Sequence, residues 1–68
     1  MYRIEVSDGY GHWWEAHAPV DDLENAKRLA KMLVHPDWDT ARTIEVVDDT
    51  GKVVAAFHRN MKGDAVPA

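Results

Sequence analysis

One stretch of the chain, DDLENAKRLAKMLVHP at residues 21–36, carries a helical period, and it lies between two β-prone halves that must share it. At about 100° per residue, Leu23, Ala26, Leu29, Ala30, Leu33 and Val34 fall in one arc, with Glu24, Arg28, Lys31 and His35 opposite. Asp21 and Glu24 have the spacing of a capping box, which predicts a helix that starts at Asp21. Pro36 cannot donate the next helical hydrogen bond and disfavours helical geometry at His35, so the helix should stop near Val34 or His35. One helix covers one face of an antiparallel sheet, so the strands around it must leave the other face open.

Residues 2–7, YRIEVS, alternate Tyr2, Ile4 and Val6 against Arg3, Glu5 and Ser7, the period of a half-buried strand. DGYG is a turn, HWWEAHA resumes as a strand, and Pro19 is expected to end it. Beyond the helix, ARTIEVVD and KVVAAFHR read as a second hairpin, with Gly51 in the left-handed position of its turn. NMKGDAVPA is polar and carries Gly and Pro, which predicts a flexible tail over 61–68 behind a single domain at 1–60. The expected fold class is α+β with order β-β-α-β-β, a four-stranded antiparallel sheet and one helix packed on one face.

Adjacent strand residues point to opposite faces, so Trp13 and Trp14 cannot both enter one core. Trp14, Ala16 and Ala18 form the plausible helix-facing set, because the alternative set puts Glu15 and His17 beside Trp13. In the second hairpin, pairing Val46 with Val53 sends Ile44, Val46, Val53, Ala55 and Phe57 inward and leaves Val47, Val54 and Ala56 outside. A turn one residue tighter moves Phe57 outward. Trp13, Val47, Val54, Ala56 and Phe57 are therefore the candidates for an association surface on the helix-free face.

A 68-residue chain has a small core, and the absence of cysteine removes disulfides and thiolate metal sites, which leaves self-association or good packing as the available reinforcements. The net charge of -4 disfavours a general footprint for nucleic acid or an anionic membrane. No apolar run nears the roughly 18 residues of a membrane span, and MYRIEVSDGY lacks the layout of a signal peptide, so a cytoplasmic location is expected. His12, His17, His35 and His58 have no metal-ligand spacing, and DDTG lacks the remaining positions of a calcium loop. Asp37 and Asp39 bracket Trp38 without a partner base, and no nucleophile elbow, P-loop or dinucleotide fingerprint is present. No enzymatic activity, metal or cofactor is expected, and the short helix predicts little volume for a small-molecule pocket between helix and sheet.

Lys27, Arg28 and Lys31 give the outer helix face a basic stripe, the best signal for nucleic-acid contacts, although bases late in a helix also suit its dipole. The pattern D-x-x-x-A-x-x-x-A-x-x-L from Asp22 to Leu33, followed by I-E-V-x-D from Ile44 to Asp48, resembles short bacterial single-domain α+β proteins without an assigned activity. That resemblance implies a fold type and a bacterial origin. A fainter likeness to small α+β antitoxin domains, which pair a strand hairpin with one helix, implies a regulatory role as the alternative. The leading expectation is a homodimeric or protein-interaction domain using the helix-free sheet face, with a nucleic-acid or antitoxin-like regulator second.

Overall fold

The computed structural model describes residues 1–68. The alternating run becomes β1 (Tyr2–Ser7), followed by β2 (Trp13–Val20), α1 (Leu23–Leu33), β3 (Thr43–Val47), β4 (Val53–Arg59) and β5 (Ala65–Pro67). The sheet has five strands in the order β2-β1-β3-β4-β5, each neighbour antiparallel, so the connection that contains α1 leaves β2 at the edge and crosses β1 to reach β3.

Ile4 pairs with Val46, Val6 with Ile44 and Ile44 with Phe57, which sets these side chains in adjoining rows on one face. They form the core with Ala26 and Ala30 of α1. Two alanines at the centre of the contact let the helix backbone lie close to the sheet, while Leu23, Leu29 and Leu33 flank them half-buried. The helix begins one residue later than its sequence suggests. Asp22, not Asp21, is the cap: it is extended (φ -118°, ψ 128°) and its carboxylate accepts from the Asn25 amide at 2.9 Å. Glu24 then sits in the first turn, 3.7 Å from Lys27, instead of bonding back. Val34 is already extended, so the constraint imposed by His35-Pro36 acts one residue earlier than the proline rule requires.

Three turns close the sheet with one device. In DGYGH, DDTGK and NMKGD, an Asp or Asn accepts amide hydrogens two and four residues on, and its own amide donates to the carbonyl four residues on. The fourth residue is Gly11, Gly51 or Gly63, each with φ between 85° and 94°, where a Cβ would strain the backbone. The third copy overturns two expectations. Residues 65–67 are not a flexible tail but a fifth strand, folded back on β4 by the Asn60 turn, with Ala68 donating to the Ala56 carbonyl at 2.9 Å.

β2 departs from regular pairing twice. Glu15 faces Glu5 but His17 faces Ile4, so Ala16 is an extra residue, and a second irregularity precedes Val20, which faces Tyr2. Pro19 does not end the strand, because β2 is at the sheet edge, where a missing donor is tolerated. The bulge also corrects the inward set. Ala16 and Val20 pack against the core, Ala18 is exposed, and Trp14, opposite Val6 on the helix side, remains 44% exposed outside the core. In the second hairpin Val46 faces Ala55, not Val53, and a bulge pairs Val53 with Val47 and leaves it exposed. No helix is long and apolar enough to cross a membrane.

Candidate docking face and flanking cleft

Alternation from the buried Ile4, Val6, Ile44 and Val46 assigns Arg3, Glu5, Ser7, Thr43, Glu45 and Val47 to the face without the helix. Pairing extends that face to Trp13 and Glu15 on β2 and to Ala56 and His58 on β4. Glu5 is directly opposite Glu15 on one side and Glu45 on the other, so three carboxylates run in a row across β2, β1 and β3. Like charges in this relation repel. Arg3 reaches Glu5 at 3.5 Å, and neither Glu15 nor Glu45 has an ion pair. Partial burial pushes the Glu45 carboxyl above its ordinary value, and the Glu5 charge adds to the shift.

The expected apolar patch is only partly there. Trp13 is 46% exposed at one end of the face and Ala56 is half-buried on it, but Val54 does not belong to the patch: it is the extra residue of the β4 bulge and packs against the core. Val47 lies on this face but is only 6% exposed, so it offers little contact area. Phe57 is not on the face at all: it is 5% exposed and belongs to the core, because the bulge near Val53 preserves the inward parity of Ala55 and Phe57. The carboxylate row at the centre was missed in the sequence, although each glutamate sits between two residues assigned to the helix side.

The basic residues of α1 do not form one stripe. Lys27 is beside Glu24, and the Lys31 ammonium lies 5.4 Å from the centroid of the Phe57 ring. Arg28 instead turns toward β2 and lines a cleft of about 510 Å³ with His17, Val20, Asp21, Asn25 and Leu29. This volume lies on the flank of the helix, outside the packed core, which is why helix length did not foretell it.

The connection from His35 to Arg42 also holds more structure than its composition suggests. Trp38 packs against the core, the Arg59 side chain donates to its carbonyl, and the Arg42 guanidinium carbon is 5.8 Å from its ring centroid. Gly9 lies against this connection so closely that a Cβ would sit 2.4 Å from the Ala41 carbonyl oxygen. No three His, Asp or Glu side chains converge as a set of metal ligands. No family model, curated protein or solved structure matches the chain.

Proposed function

We propose that the chain is a non-enzymatic protein-interaction module whose helix-free sheet face docks a partner bearing cationic side chains. The row Glu15, Glu5, Glu45 carries this reading: a folded chain retains like charges in adjacent cross-strand positions, with a single arginine nearby to offset them. Trp13, at the end of the same face, supplies an exposed ring for apolar contact or for stacking by a guanidinium. The same row favours a different protein over a second copy, since two such faces stacked about a two-fold axis would set carboxylates against carboxylates. A nucleic-acid role has less support, because Lys27, Arg28 and Lys31 are dispersed over different surroundings.

The test is an amide-shift titration with a peptide alternating lysine and leucine, against a control with glutamate for lysine. The lysine peptide should perturb Trp13, Glu15, Glu45 and Ala56 in a salt-sensitive manner, and Glu5→Gln with Glu45→Gln should remove the effect. Equal binding of both peptides, or full retention by the double variant, rules the reading out.

A further inference from the structure

The cleft between α1 and β2 pairs unused polar groups with an apolar floor. Arg28 forms no ion pair or hydrogen bond within the chain, nor does the Asp21 side chain, although both line the same cleft. The Asn25 side-chain amide likewise has no partner within the chain; the residue's bond to the Asp22 cap is made by its backbone amide. Val20 and Leu29 provide apolar surface between them and pack against the core.

His17 arrives there because of the bulge. With regular pairing it would share the face of Glu15 and Trp13, but the extra residue at Ala16 brings it opposite Ile4, on the helix side. Bulges commonly re-aim a side chain in this way. Its Nδ1 is 2.7 Å from the Ala18 carbonyl oxygen, which can only accept, so Nδ1 holds a hydrogen and, in the neutral form of the ring, Nε2 is the acceptor.

The cleft therefore presents two donors, Arg28 and Asn25, and two acceptors, Asp21 and His17 Nε2, around an aliphatic floor. We infer that it binds a free α-amino acid with an aliphatic side chain. The guanidinium of Arg28 and the amide of Asn25 receive the carboxylate, Asp21 and His17 receive the ammonium, and the side chain covers Val20 and Leu29. A simple carboxylate would leave Asp21 unanswered and repelled, and a phosphate would be repelled more strongly. The volume of about 510 Å³ is ample for such a ligand.

Titration of the folded chain with leucine, followed by amide shifts, tests this directly. Leucine should perturb Val20, Asn25, Arg28 and Leu29, while 4-methylpentanoate, which lacks the ammonium, and isopentylamine, which lacks the carboxylate, should bind at least about tenfold more weakly. Arg28→Gln and Asp21→Asn, both at exposed positions, should each weaken leucine by a similar factor with the far-ultraviolet spectrum unchanged. Absence of shifts with leucine, equal responses to the analogues, or unchanged binding by both variants overturns the assignment. Loss of the lysine-peptide interaction would not bear on it, because that face and this cleft share no residue named in either test.

Discussion

At the scale of single residues, the folded chain treats its carboxylates in opposite ways. Asp8 is held below its ordinary value of 3.8, first by the Tyr10 amide, and Asp48 likewise, first by the Thr50 hydroxyl. Both stabilise the fold above 3.8, and that contribution is lost as pH falls through their lowered values. Glu45 is raised above 4.5, so the folded state binds its proton more readily than the unfolded chain does and carries a penalty while the group is ionised. Stability should therefore rise as the pH is lowered from neutral toward 4.5, then fall below 3.8. Glu45→Gln should raise neutral-pH stability by about 0.5 kcal/mol and flatten the first limb, as read from urea midpoints across pH. Gly9 and Gly11 offer a second comparison, since both have positive φ but only Gly9 meets a neighbour where a Cβ would go. Gly11→Ala should cost about 1 kcal/mol, and Gly9→Ala distinctly more, in thermal melts of the two variants.

Among the elements, β5 tests the turn device. Asn60 accepts the amides of Lys62 and Asp64, both at 2.9 Å, and Phe57 of the core is paired with Pro67 across this hairpin. Asn60→Ala should lower stability by about 1 kcal/mol and release Val66 and Ala68 to rapid hydrogen exchange while the amides of β1 and β3 stay protected. The strand was hidden in the sequence because NMKGD is polar and AVP is too short to show a period, yet its Asn-x-x-Gly spacing repeats that of DGYG and DDTG. Both other hairpins, the helix and the faces of Ile4, Val6, Ile44 and Val46 were legible, since alternation and helical period report burial on one side. Irregular pairing was not. The bulges at Ala16 and Val53 obey no local period, and they decide the surroundings of His17 and keep Phe57 in the core. The glutamate row depended on the neighbour order of β2, β1 and β3, which is a tertiary fact.

Over the whole molecule, the arrangement separates its chemistry: acid on the open sheet face, and a mixed-charge cleft beside the helix. The acidic face bears on the expectation that so small a chain is reinforced by self-association or by good packing. The outcome anticipated from the carboxylate row is a monomer, with light-scattering mass constant on dilution at low salt, and a stable dimer under those conditions would point to another surface.

β2 forms one margin of the sheet and β5 the other. The first is broken by two irregularities and Pro19, and the second is three residues long and ends at Pro67. Neither margin offers an uninterrupted run of free peptide groups to an incoming chain, so strand-by-strand growth into fibrils is obstructed at both ends of the native sheet. Aggregation of this protein is therefore expected to begin from a molecule that has at least partly unfolded, and at a fixed concentration its rate should follow the opening of the sheet.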